Sequence, residues 1–323
     1  MERVADPTAV QRPSAWRAHS EKIAFVVMVM ALVVAPFVTY PLFVMQALCF
    51  ALFACAFNLL IGYVGLLSFG HALYFGWASY LAAYSAKAWG FPPELAILTG
   101  TATAALLGVV AGSLAIRRQG IYFAMITLAL AQMMFFFALQ MKFTGGEDGI
   151  QNVPRGHLFG LFDLGNQTIM YFFVLVVFLV GFLFIHRIIH SPFGEVLKAI
   201  RENEPRAISL GYKTDRYKLM AFVLSATLAG LAGSTKALVV QIASLTDVNW
   251  PMSGEVVLMS LVGGLGTIFG PVIGSFVILA MQYKLSALGE WVLVIQGVIF
   301  VTCVLLFRRG IIGEIANILR IKL

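Results

Sequence analysis

The stretch from Ser191 to Leu219 reads SPFGEVLKAIRENEPRAISLGYKTDRYKL and lies between two apolar segments, 168–189 and 219–240. It holds ten charged residues, whereas charged residues make up only 11% of the whole chain. Each flanking segment has about twenty residues, which is enough for a helix to cross a bilayer. The stretch is therefore predicted to be a polar loop between two membrane-spanning helices.

The composition is that of a membrane protein. Of the 323 residues, 60% are hydrophobic, and the mean hydropathy is +0.91. A soluble domain of this length needs more polar surface. Backbone groups inside lipid must be hydrogen-bonded within their own segment, which favours helices, and the alternating pattern of a membrane β-barrel is missing. The predicted fold class is all-α, a polytopic membrane protein with little soluble mass.

About ten hydrophobic segments are predicted, which corresponds to 8–10 transmembrane helices. They are 23–40, 42–61, 66–86, 95–116, 121–141, 168–189, 219–240, 254–265, 269–283 and 288–307. The eighth and ninth are shorter than the roughly twenty residues of a full crossing, and glycines flank them. They are predicted to be either two spans or one re-entrant hairpin.

The positive charge of the chain, +7 at neutral pH, is unevenly distributed and predicts its orientation. Loops rich in Lys and Arg stay on the cytoplasmic side of a membrane. The basic residues concentrate in a tail (1–22), the pair Arg117–Arg118, a loop (190–218) and a second tail (308–323). Counting spans places all four on one side. Both tails are therefore predicted to be cytoplasmic, with the transmembrane domain at 23–307.

Residues for enzyme chemistry are missing, so no catalytic residue and no metal site are predicted. The chain has no phosphate-binding G-x-x-x-x-G-K-[ST] loop and no H-E-x-x-H motif. Its cysteines, Cys49, Cys55 and Cys303, show no zinc spacing and no disulfide framework. Ser68 and His71 have the i and i+3 spacing of residues on one helix face, but a protease also needs an oxyanion hole.

Polar residues within the apolar segments are few, and no series of Asp, Glu and His crosses the membrane, which argues against a proton-driven pump. Two glycine-punctuated stretches, 62–76 and 263–274, lie in opposite halves of the chain. Such pairs line the path in some transporters, and they also serve close helix packing; both interpretations stay open. The candidate path residues are Ser68, His71, Gln132, Gly264 and Gly266. His71 has the alternative of bonding a neighbouring carbonyl, and a Lys236–Glu255 ion pair is a further candidate.

The polar loop itself is predicted to contain two short helices. Pro192 suits a first helical turn, Pro205 interrupts or opens a second helix near Glu204, and Gly211 is a natural helix stop. An ordinary basic loop held by lipid headgroups is the alternative. Acidic residues offset most of the bases, which a lipid-binding patch does not need. The loop is therefore predicted to be a docking element for a soluble partner.

Five stretches resemble the LivM-type permease subunit of branched-chain amino acid ABC importers. They are GLLSFGHALYFGWASY (65–80), RRQGIYFAMITLALAQ (117–132), TGGEDGI (144–150), SPFGEVLKAIRENEPRAISLGY (191–212) and LVGGLGTIFGPVIG (261–274). The polar loop is similar to the "EAA…G" coupling element of such permeases, which sits in a cleft of the ATPase. Glu204, Ala207 and Gly211 stand at the comparable places, and Arg206 replaces one of the two alanines.

The resemblance implies partners and a location. A LivM-type chain pairs with a second permease subunit, two ATP-binding subunits and a soluble periplasmic binding protein in the bacterial inner membrane. It binds no cofactor and no nucleic acid, and its partners use ATP and Mg²⁺. The expected ATPase-coupling residues are Glu202, Asn203, Glu204, Ala207 and Gly211. The loop expected to face the binding protein contains Thr144, Gly145, Gly146 and Gly149.

The predicted function is transport of branched-chain or related hydrophobic amino acids, and the chain is predicted to be a transport subunit with no enzyme activity of its own. Urea, short amides or aromatic acids are alternative substrates of similar permeases. A stand-alone channel would need no motor, a secondary transporter would need an ion-coupling cluster, and a membrane enzyme would need a nucleophile with its base. The polar loop favours the ATP-driven class over these three.

Overall fold

The computed structural model describes residues 15–285, the positions 291, 294–295, 297–298 and 301–302, and residues 310–318. Outside these described residues lie the first 14 residues of the predicted tail, Cys303 and most of the tenth predicted segment. The helices are α1 Ala15–Val38, α2 Pro41–Tyr63, α3 His71–Ala88, α4 Pro93–Ala115, α5 Ile121–Gln140, α6 Gln167–Ile189, α7 Pro192–Glu202, α8 Glu204–Ser209, α9 Thr214–Val240, α10 Trp250–Gly263, α11 Gly270–Leu285 and α12 Gly310–Ile318.

Among the residues that the structure describes, four strands of two residues each form two small antiparallel pairs, so the all-α class is confirmed. The strands are β1 Ile150–Gln151, β2 His157–Leu158, β3 Phe162–Asp163 and β4 Ile242–Ala243. Strand β1 pairs with β4, and β2 pairs with β3. Short 3₁₀ turns occupy Lys142–Thr144 and Leu245–Asp247.

Within the described part of the chain, five helices are long and apolar enough to cross a membrane: α2, α4, α5, α6 and α9. Two shorter apolar helices, Lys22–Val38 within α1 and Gly270–Leu285, accompany them. The multi-pass membrane character is thereby confirmed. The total of ten segments stays a prediction.

Helix α9 lies in the centre of the bundle and packs against α2, α3 and α4. Small residues allow this close approach. A Cβ added at Gly233 would overlap the carbonyl oxygen of Phe75, and one at Gly230 would overlap the methyl group of Ala104. The small-residue surface of this span therefore serves helix packing, as its sequence indicates.

One end of the bundle, here called the basic end, carries α7 and α8. The α4–α5 turn lies there because Gln119 Nε2 donates to Glu204 Oε2 over 3.0 Å. The turn between α10 and α11 lies there too, since Gly266 N donates to Asn58 Oδ1 near the end of α2. The start of α12 packs beside that turn, where Gly310 adjoins Gly264.

The first helix also begins at the basic end. Phe25 stacks on Phe182 with ring centroids 6.0 Å apart, and the Tyr171 hydroxyl donates to the Leu32 carbonyl. Later residues of α1 thus meet earlier residues of α6, so the two helices are antiparallel. Since α6 ends at the basic end, α1 starts there. Each of the four predicted basic regions therefore has described residues at the basic end. The cytoplasmic location of this end stays a prediction.

The third span differs from the prediction at its start. It was expected over 66–86, but α3 begins at His71 and residues 64–70 are not helical. Phe69 N donates to Thr127 Oγ1 over 3.2 Å, and Gly70 N donates to Ser68 Oγ over 3.2 Å. Irregular backbone at membrane depth is tolerated where protein groups satisfy it. Hydropathy alone does not detect such a break, because Leu66 and Leu67 are as apolar as the helix that follows.

Helices α10 and α11 form a tight antiparallel hairpin. They have 14 and 16 residues, so they are about 21 and 24 Å long, against roughly 30 Å of hydrocarbon. A Cβ at Gly263 or Gly274 would overlap backbone of the opposite helix. The number of complete crossings made by this hairpin stays a prediction.

The predicted Lys236–Glu255 ion pair is wrong. Lys236 Nζ lies 2.6 Å from Oδ2 and 2.8 Å from Oδ1 of Asp247, and both side chains are buried. Glu255 instead forms a side-chain hydrogen bond with Gln282 of α11. Asp247 sits in the loop between α9 and α10, which folds back on α9 and brings its carboxylate to the lysine.

Candidate functional site

The polar loop forms two short helices, as predicted. Ser191 caps α7 because its Oγ accepts a hydrogen bond from Gly194 N, and Pro192 fills the first turn. Asn203 ends α7 and also caps α8, with Arg206 N donating to its Oδ1 over 3.0 Å. One residue therefore sets the angle between the two helices.

Glu204, at the start of α8, anchors the element to the bundle. Oε1 pairs with the Lys218 ammonium on α9, which is buried, and Oε2 accepts from Gln119 in the α4–α5 turn. An ammonium and an amide donor thus hold both oxygens of one carboxylate. The family resemblance predicts Glu204 as a coupling residue, and the structure adds that its side chain binds within this chain.

Gly211 terminates α8 in a Schellman arrangement. Its φ is +89°, Gly211 N donates to Ile208 O over 2.9 Å, and Tyr212 N donates to Ala207 O over 3.2 Å. A side chain at Gly211 would meet no atom of this chain within 4 Å. The requirement for glycine here therefore comes from backbone conformation.

Three large apolar side chains project from α8 and the turn that follows it, and we call them the apolar tip: Ile208, Leu210 and Tyr212. Ile208 is 55% exposed and Leu210 is 70% exposed. Ala207, which the sequence predicts as a coupling residue, is only 3% exposed and packs inward. Glu202 and Asn203 are exposed at the junction of the two helices. The apolar tip is therefore accessible to a partner at the basic end.

The predicted path residues do not meet in one place. Ser68 and His71 are buried between α2, α3, α5 and α9, whereas Gly264 and Gly266 lie in the α10–α11 turn. Gln132 is half-buried on α5. A role for these residues in a translocation path stays a prediction.

His71 bonds a hydroxyl instead of a carbonyl. Its Nε2 lies 2.9 Å from Ser225 Oγ, which donates its own proton to the Ala56 carbonyl over 2.5 Å. Nε2 must therefore carry the hydrogen, which leaves Nδ1 as an acceptor without a partner among the described residues. The rings of Phe57 and Tyr74 contact the imidazole edge-on.

The end of the bundle away from α7 and α8, here called the opposite end, joins two distant loops. Ile150 pairs with Ala243 and Gln151 with Ile242 in the β1–β4 pair. Arg155 donates to the carbonyls of Leu238 and Val239 at the end of α9. Burial lowers the pKa of the Arg155 guanidinium below its usual value.

The residues predicted to face a binding protein lie in this region. The glycines Gly145, Gly146 and Gly149 all have positive φ, whereas Thr144 is buried and its hydroxyl donates to Ala138 O over 2.6 Å. Gly145 and Gly149 also line a cavity of about 560 Å³. The other residues that line it are Tyr84, Lys87, Ala88, Lys142, Phe143 and Ile150.

No group of three or more His, Cys, Asp or Glu side chains that could hold a metal ion occurs among residues 15–285 and the other described positions. The features that sequence reasoning did not identify are the buried partner of Glu204, which is Lys218, and the contact that Arg201 of α7 makes with the Gly62 carbonyl. Neither contact has a sequence signal. Gly62 is far from Arg201 along the chain, and Lys218 lies in the helix that follows α8.

Comparisons with known proteins show which sequences this chain is similar to. The profile of the family described as "Branched-chain amino acid transport system / permease component" matches residues 41–304. The permease protein LivM of Escherichia coli, from a high-affinity branched-chain amino acid transport system, is 25% identical over 82% of this chain and 68% of its own length.

Two further relatives differ in the substrate that their names give. The ribose import permease protein RbsC of Bacillus subtilis is 31% identical over 56% of this chain and 58% of its own length. The probable branched-chain amino acid transport permease protein LivH of Methanocaldococcus jannaschii is 29% identical over 48% of this chain and 51% of its own length. No solved structure matches the chain.

Proposed function

The chain belongs to the branched-chain amino acid transport system permease family, and from this premise we propose that it is the membrane-spanning subunit of an ATP-driven importer. The subunit hydrolyses nothing itself and changes shape when ATPase subunits act on its α7–α8 element. Its cytoplasmic side is the basic end, as the distribution of Lys and Arg indicates.

The observation that carries this proposal is the combination of anchor and apolar tip in α7–α8. Lys218 and Gln119 fix the element to the bundle through Glu204. Ile208 and Leu210 meanwhile expose apolar surface in a polar segment. An apolar anchor surrounded by charge is typical of a protein interface. A rigid element with such a surface suits a docking site that transmits force to α9.

The proposed substrates are branched-chain or related hydrophobic amino acids. The family description and the relative LivM both support this class. Relatives named for ribose and fructose import make sugars the second candidate class. Urea, short amides and aromatic acids are further alternatives that the sequence leaves open.

The proposed assembly has a second permease subunit, two ATP-binding subunits and a periplasmic binding protein, in the inner membrane of a bacterium. The binding protein delivers substrate to the opposite end, where β1–β4 joins the two exposed loops. The ATP-binding subunits use ATP and Mg²⁺ at the basic end. Their closure displaces α7–α8, and the bundle alternates between two packings that open to either side.

The docking claim is tested by placing a charge on the apolar tip. The complex is co-expressed with its ATPase subunits, and Leu210→Asp is compared with Leu161→Asp, a leucine that is 81% exposed at the opposite end. We expect Leu210→Asp to reduce co-purification of the ATPase subunits about tenfold or more, because a buried unpaired charge is costly at an interface. Equal co-purification of both variants would refute docking at α8.

The transport claim is tested in proteoliposomes. Wild-type complex with binding protein should accumulate leucine only when ATP is enclosed with the ATPase subunits. This chain alone should move no solute. Ribose, fructose and urea serve as alternative substrates, and robust flux without any ATPase subunit would place the protein among channels.

A further inference from the structure

Arg201, in the last turn of α7, turns its guanidinium away from the apolar tip and towards the bundle. Nη1 donates to the Gly62 carbonyl oxygen, one residue before the end of α2. The carbonyls of a last helical turn have no partner within the helix and carry partial negative charge. The guanidinium therefore occupies a position that favours a cation.

Neighbouring backbone is shaped to accept this arginine. Gly65 has φ +82°, and a Cβ added there would lie 3.2 Å from Arg201 Cγ. The aliphatic part of Arg201 thus passes closely over Gly65 on its way to Gly62. A residue with a side chain at this position would be strained and would also crowd the arginine.

The end of α2 is in turn joined to the α10–α11 hairpin. Asn58 Nδ2 donates to the Thr267 carbonyl over 2.9 Å, and Asn58 Oδ1 accepts from Gly266 N over 3.0 Å. The two backbones nearly touch, since a Cβ at Gly62 would lie 2.9 Å from Gly266 N. Arg201, Gly62, Asn58 and the turn at 264–267 therefore form one continuous set of contacts.

This connection differs from the others made by α7 and α8. Glu204 holds the element to α9 and to the α4–α5 turn. Arg201 reaches α2, which comes from the other half of the chain, and through Asn58 the hairpin beyond it. A displacement of α7 would thus be delivered to helices that are not its sequence neighbours.

We propose that Arg201 is a positioning residue that couples movement of α7–α8 to the turn of the α10–α11 hairpin, through Gly62 and Asn58. The inference rests on the proposed docking of ATPase subunits at α8. It adds the hairpin as the element that the ATPase moves, besides the neighbouring spans α6 and α9.

The test measures coupling separately from assembly. Arg201→Ala, Arg201→Lys and Asn58→Ala are introduced into the complete complex with its ATPase subunits and binding protein. Arg187→Ala, an exposed arginine in the last turn of α6, is the matched control. Each complex is assayed for subunit co-purification, ATP hydrolysis with and without loaded binding protein, and leucine transported per ATP hydrolysed.

We expect Arg201→Ala to assemble as wild type while leucine transported per ATP falls about tenfold, the scale set by a lost charged hydrogen bond. Arg201→Lys keeps a donor within reach of the Gly62 carbonyl and should recover part of the ratio. Asn58→Ala should lower the ratio although Asn58 does not contact α7, and Arg187→Ala should leave it unchanged.

Several results would overturn the inference. One is an unchanged ratio of leucine transported per ATP in Arg201→Ala. Another is loss of ATPase co-purification in that variant, because Arg201 would then be a docking residue. If Arg201→Ala does not fold, an unchanged ratio in Asn58→Ala decides against it. A wild-type chain that binds no ATPase subunit would instead refute the proposed function itself.

Discussion

Lys236 of α9 and Asp247 of the α9–α10 loop form a buried ion pair, with Nζ 2.6 Å from Oδ2. Desolvation of two charges offsets most of their attraction, so the pair adds little net stability while it is intact. Removal of one partner is strongly destabilising, because the other charge then stays buried without a counter-charge. The pair therefore fixes the loop that leads into α10 in a single position.

Asp247→Asn is expected to destabilise the purified protein by about 3–5 kcal/mol, since the Lys236 ammonium loses its counter-charge. Thermal unfolding in detergent measures this effect. The double variant Lys236→Met with Asp247→Leu should lose less stability than the sum of the losses in its two single variants. Additive effects of the two changes would show that they do not interact.

Removal of the exposed Lys198–Glu195 pair should change stability by less than about 1 kcal/mol.

Gly233→Ala tests the close packing of α9 on α3. The added methyl group would overlap the Phe75 carbonyl oxygen, so the helices must separate. We expect a loss of about 1–3 kcal/mol, typical of overpacking in a tight core. Gly254→Ala is the control within α10, because a Cβ there meets no atom within 4 Å. It should be neutral or stabilising by up to about 1 kcal/mol, and equal losses in both variants would contradict the packing argument.

Glu204→Ala should loosen the α7–α8 element in the isolated subunit. The substitution removes the acceptor of both Lys218 and Gln119, and the Lys218 ammonium is buried. Trypsin should then cut after Arg201, Arg206 or Lys213 about tenfold faster, because local opening exposes these sites. Glu202→Ala removes an exposed carboxylate on the same element and should keep the wild-type cleavage rate. Equal rates would mean that Glu204 does not anchor α8.

Cysteine labelling tests which loops share a side of the membrane. Single cysteines at Glu147 and Lys213, both exposed, should react with an impermeant reagent from opposite sides. The native Cys49 and Cys55 are buried and should react slowly. Labelling of both engineered positions from one side would contradict the two-ended arrangement of the bundle.

Much of this architecture can be predicted from the sequence because lipid imposes simple demands. Apolar length places α2, α4, α5, α6 and α9, and the clusters of Lys and Arg mark the basic end. Residues that start or stop a helix also act locally, so Pro192, Pro205 and Gly211 indicate the two short helices before any tertiary contact is known.

The remainder depends on contacts between distant residues. The break before His71 leaves no hydropathy signal, because buried protein groups satisfy the irregular backbone at 64–70. Lys236 has two acidic candidates, Asp247 and Glu255, and only the fold of the connecting loop decides between them. Arg201 and Gly62 are 139 positions apart, so their contact follows from helix packing that a single sequence does not encode locally.

Helix α9 has 27 residues and contains no proline, from Thr214 at the basic end to Val240 at the opposite end. It is therefore one continuous helix of about 40 Å. Glu204 pairs with Lys218 near the start of the helix, and Arg155 donates hydrogen bonds to the carbonyls of Leu238 and Val239 near its end. A displacement at one end of the bundle is therefore carried to the other end along one uninterrupted helix.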